Sequence, residues 1–241
     1  VPTSTFEGSK SLEKVFLKSQ GKLELSKGCF SNLPTLNDVT LKSKEKIITN
    51  KSSFSSTKLR TFEMNSPEIY LGEQILNNCL DLHSISLHDI GFVHLHSQAL
   101  SGCNNLNDFN ITPSDASTVS DYFKFPYLSE AEMGHEVTTV QVSSKETQKS
   151  FSAIIFKTQF FPEGVVNYLT DASSNHQVIG IGFYRSGSNN YLTLISEEPI
   201  EFKSDKLNEE SDDDWGSSDS ELEEPKNKEQ NTILPKSIYY G

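Results

Sequence analysis

An apolar pattern, Leu-x-x-apolar-x-apolar, recurs five times in the first half of the chain. The copies are Leu12/Val15/Leu17, Leu36/Val39/Leu41, Leu59/Phe62/Met64, Leu82/Ile85/Leu87 and Leu106/Phe109/Ile111. Their leading leucines stand 24, 23, 23 and 24 residues apart, inside the interval of about 20 to 29 residues at which leucine-rich coils repeat. A coil this short has too little chain to enclose its own apolar side, so it must stack on neighbours that repeat its pattern. The spacing therefore predicts a solenoid of about four complete coils.

Two further features keep the same phase. A second apolar pair follows each motif (Leu23 and Leu25, Ile47 and Ile48, Ile69 and Leu71, Val93 and Leu95). A large residue (Phe30, Phe54, Leu76, Leu100) precedes each next leucine by five or six positions, as Phe6 precedes Leu12. Phe6 reads as the end of a coil that begins further upstream. With Val1 in place of Met and no apolar leader after it, this gives the expectation of a processed chain or a fragment.

Side chains alternate along a strand, so the x positions of the motif face outward. That predicted face comprises Glu13, Lys14, Phe16; Asn37, Asp38, Thr40; Arg60, Thr61, Glu63; His83, Ser84, Ser86; and Asn107, Asp108, Asn110. It is rich in hydroxyls and amides, with one aromatic, Phe16, and suits a polar, wet contact with another protein. The competing reading is an ordinary solvated sheet, because no cluster of Trp, Tyr or Arg marks a hot spot on it.

The strings CFSNLPTLNDVTL (29–41), NNCLDLHSISL (77–87) and LSGCNNLNDFNITPS (100–114) resemble the BspA-type leucine-rich repeats, whose pattern runs from an apolar pair through Phe and Gly-Cys to Leu-x-x-Ile-x-Ile-Pro. The similarity covers residues 6–113. Gly-Cys is complete only at Gly102-Cys103, and Leu33 and Ser56 stand where other coils carry Cys. The resemblance implies a right-handed solenoid with two short strands per coil. It also implies a role in adhesion to host or matrix proteins and in protein contact, with no catalytic residue to carry over.

Cys79 and Cys103 each stand three positions before a repeat leucine and are expected to stack on adjacent coils, while Cys29 sits in another phase. A buried thiol ladder is the expected state, although adjacent coils lie near enough for a disulfide. His94 and His96 flank Leu95 and share a side of a strand, but spacing fixes no third ligand, so a solvated pair is preferred to a metal site. Asn50-Lys51-Ser52 and Asn110-Ile111-Thr112 are glycosylation sequons, relevant only to a secreted chain.

The repeat phase ends after Pro113, and 114–134 reads as a connector. Six apolar, β-branched segments follow at 135–142, 151–161, 165–170, 177–184, 191–196 and 200–203, separated by turn compositions, and predict a small antiparallel all-β module over 135–203. The overall expectation is thus a β-rich chain in which a solenoid over 1–113 precedes that module. Gly180-Ile181-Gly182 lacks the third glycine of a nucleotide loop and sits in a strand context, so close packing accounts for it better. His135 and His176 have no marked carboxylate partner. No enzyme, cofactor or metal centre is expected.

Acidity is confined to one segment: ten acids and one base between 205 and 224 carry −9 of the formal −12, leaving −3 for the rest. Without clustered Lys and Arg, nucleic acid is not an expected partner. No run of about 18 apolar residues is present to span a membrane. Residues 204–231 are expected to be disordered. Ser211, Ser218 and Ser220, each followed three positions later by an acid, are candidate phosphorylation sites. Trp215 among the acids suggests a second reading, an intracellular scaffold whose tail recruits a basic partner. Residues 232–241 resemble the start of a further repeat. Glycan would place the chain at the cell surface, and phosphate on the tail would place it in the cytoplasm.

Overall fold

A computed structural model of the chain describes residues 1–96, 98–114, 119–135, 137–158, 163–171 and 178–200. Each solenoid coil carries two strands, as its two apolar clusters require: β1 (Lys14–Ser19) with β2 (Leu23–Leu25), β3 (Asp38–Ser43) with β4 (Lys46–Thr49), β5 (Thr61–Asn65) with β6 (Glu68–Leu71), and β7 (Ser84–Ile90) with β8 (Phe92–Leu95). A fifth coil contributes β9 (Asp108–Pro113). The first strands of the coils form one parallel sheet in the order β1-β3-β5-β7-β9, and the second strands begin another in the order β2-β4-β6-β8. The result is a β-solenoid of about four turns.

Parallel pairing aligns like positions of successive coils. Val15, Val39, Phe62, Ile85 and Phe109 lie in one row, and Leu17, Leu41, Met64, Leu87 and Ile111 in the next. From the second coil onward these side chains are buried. In the second strands the inward row reads Leu25, Thr49, Leu71, Leu95. Thr49 therefore takes the place expected of Ile48, which is only half-buried on the outer side. The buried Thr49 hydroxyl is satisfied by donating to the Tyr70 carbonyl at 2.8 Å, as a buried polar group must be.

The third side of each coil is a turn that also repeats. Phe6, Phe30 and Phe54 stack face to face with centroids 5.0 and 5.2 Å apart, and the N–H groups of Phe6, Phe30, Phe54 and Leu76 donate to the next coil's Cys29, Ser53, Ile75 and Ala99 carbonyls at 2.9 to 3.0 Å. Two residues flank each large side chain with positive φ: Ser4 and Gly8, Gly28 and Asn32, Ser52 and Ser56, Gln74 and Asn78, Gln98 and Gly102. Gly and Asn, which fit this left-handed region readily, fill five of these ten positions, and Ser or Gln fills the other five.

Three residues beyond each large side chain stand Leu33, Thr57, Cys79 and Cys103, all buried. Thr57, and not the exposed Ser56, occupies the third coil's position in this row, because that coil is one residue shorter between the large residue and its leucine. Thr57 Oγ1 lies 3.2 Å from Cys79 Sγ, and the Cys79 and Cys103 thiols donate to the Phe54 and Leu76 carbonyls, each at 3.2 Å. All three cysteines are free, buried thiols. Burial pushes Cys29 up to about 11 and Cys79 and Cys103 above the ordinary thiol range, which leaves all three protonated and unreactive.

After the fifth coil the chain builds a different end. α1 (Val119–Tyr122), β10 (Phe123–Lys124) and α2 (Glu130–Met133) lead into β11 (Val137–Ser144), β12 (Ser150–Phe156), α3 (Glu163–Thr170), β13 (Val178–Ser186) and β14 (Asn189–Ser196). The segment expected to be all β thus holds a helix: 165–170 is helical, and it buries Val165, Val166 and Leu169, whose spacing fits one helical face. The strand expected at 200–203 is not formed at Ile200, and 201–203 lie outside the described residues. The expected disordered tail and the suggested further repeat also lie outside them.

β13 pairs antiparallel with β8, joining Gly180 to His94, Ile181 to Val93 and Gly182 to Phe92. The second solenoid sheet therefore continues without a break through β13-β14-β12-β11-β10 into nine strands. Gly180 is required at this joint, since a Cβ there would lie 2.1 Å from Phe92 Cζ, far inside contact distance. Phe92 is buried on the outer face under Tyr122 and Phe123, with centroids 5.1 and 5.4 Å away. On the inner side, Leu169 of α3 packs near Leu95, Ala99 and Leu100 around a cavity of about 10 Å³, enough for one water molecule.

Candidate protein-binding surface

The outer face of the five-stranded sheet is a grid. One column across the coils reads Lys14, Asp38, Thr61, Ser84, Asp108, and the next reads Phe16, Thr40, Glu63, Ser86, Asn110. A third reads Lys18, Lys42, Asn65, His88. The first two columns consist of residues that the alternation of the motif points outward. The third lies beyond the motif, and only continuing the alternation one more step past Leu17, Leu41, Met64 and Leu87 would have found it. Asn37, Arg60, His83 and Asn107 sit just before the strands, where their N–H groups donate to the Glu13, Asn37, Arg60 and His83 carbonyls at 2.9 to 3.2 Å.

Polar side chains on this face largely bind one another across coils. Lys14 pairs with Asp38 at 3.4 Å and Lys42 with Glu63 at 3.2 Å. Thr61 donates to Asp38 at 3.2 Å, Ser84 and Asn110 donate to the two oxygens of Asp108 at 3.1 and 2.6 Å, and Asn65 donates to Asp89 at 2.8 Å. Exposed pairs of this kind contribute about 0 to 1 kcal/mol each, so they order the surface more than they stabilise the fold. Among the described residues, the side chains of Thr40, Arg60, Ser86 and Asn107 have no polar partner, and Phe16 stands 64% exposed beside Thr40. A ligand here would meet an aromatic ring beside the uncommitted Thr40 hydroxyl.

The other sheet carries a different cluster. His94 Nε2 lies 3.1 Å from Glu68, which also accepts from the Tyr70 hydroxyl at 2.7 Å, and the His94 ring stacks on Tyr70 with centroids 4.0 Å apart. Burial is the main cause that lowers the His94 pKa, opposed by Glu68. His94 is therefore a packed, half-buried residue and not a solvated one, and His96 lies beyond the strand end, where its N–H donates to the Leu71 carbonyl. No group of three metal-ligating side chains occurs among the described residues.

The two sequons differ. Asn50 is half-buried, with its side-chain amide donating to the Leu25 carbonyl at 2.9 Å, whereas Asn110 is exposed on the grid. Ser211, Ser218, Ser220 and Trp215 lie outside the described residues.

The chain matches the model of the BspA type leucine rich repeat region in six copies, over residues 1–77 and 23–152, which together span more than half of its length. It belongs to the BspA-type leucine-rich-repeat family. Repeats of this family generally serve adhesion and protein binding and are typically non-enzymatic scaffolds. In this BspA-type chain the match runs past the parallel coils into β11 and β12. No curated protein and no solved structure matches it. No helix among its described residues is long and apolar enough to cross a membrane.

Proposed function

We propose that this chain is an adhesion protein that binds another protein through the outer face of its five-stranded sheet, with Phe16, Asn37, Asp38, Thr40, Arg60, Glu63, His83, Ser86, Asn107, Asp108 and Asn110 as the contact set. One observation supports the reading: parallel register aligns seven of them, Phe16, Asp38, Thr40, Glu63, Ser86, Asp108 and Asn110, on the outer face of one sheet, with Asn37, Arg60, His83 and Asn107 just before its strands. Concerted presentation of one residue per coil is how stacked repeats make extended recognition surfaces. The composition favours a hydrated interface in which Phe16 is the apolar anchor.

The test is adhesion of the purified chain to immobilised extracellular-matrix proteins and to a cell monolayer. Combining Phe16→Ala, Ser86→Arg and Asn110→Arg is expected to weaken adhesion by about tenfold or more, the cost of losing an anchor and adding clashes. Glu24→Lys, on the other sheet, is expected to leave it unchanged. Equal binding by all three proteins, or equal loss in both variants, would sink the proposal.

A further inference from the structure

A sheet edge presents unpaired N–H and C=O groups, and proteins shield such edges with charge, proline, shortness or a cover. The two sheets have four outer ends, and three are shielded. β1 carries Lys14 and Lys18 on its outer face, so two copies joined there would bring four ammonium groups together. β2 has only three residues and includes Glu24. β9 begins at Asp108 and ends at Pro113, which has no N–H to offer.

The fourth end differs. β10 covers only Ser143 and Ser144 of β11, through Lys124 and Phe123. The chain then leaves the edge at Phe125-Pro126, where Phe125 packs against Tyr184 at 4.9 Å. Residues 137–142, Val-Thr-Thr-Val-Gln-Val, pair with β12 on one side and with no described strand on the other. Val137, Thr139 and Gln141 are exposed along this stretch, Val137 at 41%. The segment has no charge, proline, glycine or bulge, and five of its six residues are Val or Thr, a composition with high strand preference.

We propose that β11 is a strand-addition site whose occupant is β11 of a second copy, paired antiparallel about a two-fold axis. Charge decides for a second copy. A two-fold joint sets each side chain against a residue of the identical segment, so an edge with charge of one sign repels itself, whereas this uncharged one does not. Centred on Thr139, this segment places Thr139 opposite itself, Thr138 opposite Val140 and Val137 opposite Gln141, with no like charges facing. The joint would extend the nine-stranded sheet through two chains and leave both five-stranded faces free.

Sedimentation velocity on the full chain tests this. So short a joint buries less than a standard interface, so the concentration series runs from about 5 to 500 µM. The wild-type chain of 26.9 kDa is expected to shift toward twice that mass across the series. Thr139→Lys with Gln141→Lys is expected to hold it at the monomer mass, a weakening of about tenfold or more. Val137→Asp, a milder change at the exposed end, is expected to act in the same direction, and an unchanged thermal midpoint identifies which variants remain folded. A wild-type chain that is monomeric throughout overturns self-pairing and leaves this edge to a strand of another protein. A dimer that folded variants still form also overturns it.

Discussion

Gly180 shows how a single absent atom can decide a joint between two kinds of structure. Phe92 lies on the outer side of its sheet, in the row that Lys46 and Glu68 occupy in the preceding coils, and its ring needs the space over Gly180 to be empty. Gly180→Ala is expected to cost about 1 to 3 kcal/mol, the range for overpacking a well-filled site, read as a lower urea midpoint at unchanged slope. Gly180→Ala combined with Phe92→Leu should recover part of that loss, and no recovery would show that the alanine acts elsewhere. The Gly-Ile-Gly string was legible as a packing feature from its strand context. Which ring required the space was not, because Phe92 and Gly180 are far apart in the chain. The shift of the Cys row onto Thr57 was likewise hidden by a one-residue change in coil length.

Among the elements, those that repeat were legible and those that do not were harder to read. The columns of Leu, Val and Ile predicted every solenoid strand, because five copies in phase average out local ambiguity. α3 was read as a strand because Val165, Val166 and Tyr168 favour strands in isolation, and eight residues are too few for periodicity to outweigh that preference. The contact grid was legible in its first two columns, while its ligand was not, since face residues report what is exposed and not what binds. The β4-β6-β8 segment carries its own test. Folding lowers the His94 pKa, mainly through burial, so the folded chain resists the proton that the unfolded chain accepts near 6.5. Stability from this site is present above that pH and is lost as pH falls below it. Glu68, Lys46, Tyr70, Tyr122 and Glu146 face the same ring and set the size of the effect. The drop in thermal midpoint from pH 7.5 to 5.0 is expected to be smaller in His94→Gln than in wild type, and an equal drop would remove His94 as its source.

In the whole molecule, the nine-stranded sheet makes the solenoid and the antiparallel strands after it one mechanical body. Hydrogen exchange measures this directly: the β8 and β13 amides that bond across the joint are expected to exchange with similar opening free energies, as a single cooperative unit does. Much faster exchange across β13 and β14 than across β8 would mean that the two parts open independently. The end built from β13 and α3 shields the last coils as a capping repeat would, by supplying hydrogen bonds and apolar contacts that a further coil would otherwise provide.

Coils two to four share their register with both neighbours, so a whole coil could be duplicated within the array without disturbing either end. Each such duplication would lengthen the grid by one strand spacing, about 4.8 Å, and add one new residue to every column. The surface can therefore be resized by gene duplication in fixed steps, and its chemistry altered column by column, while the joint at Gly180 stays the same.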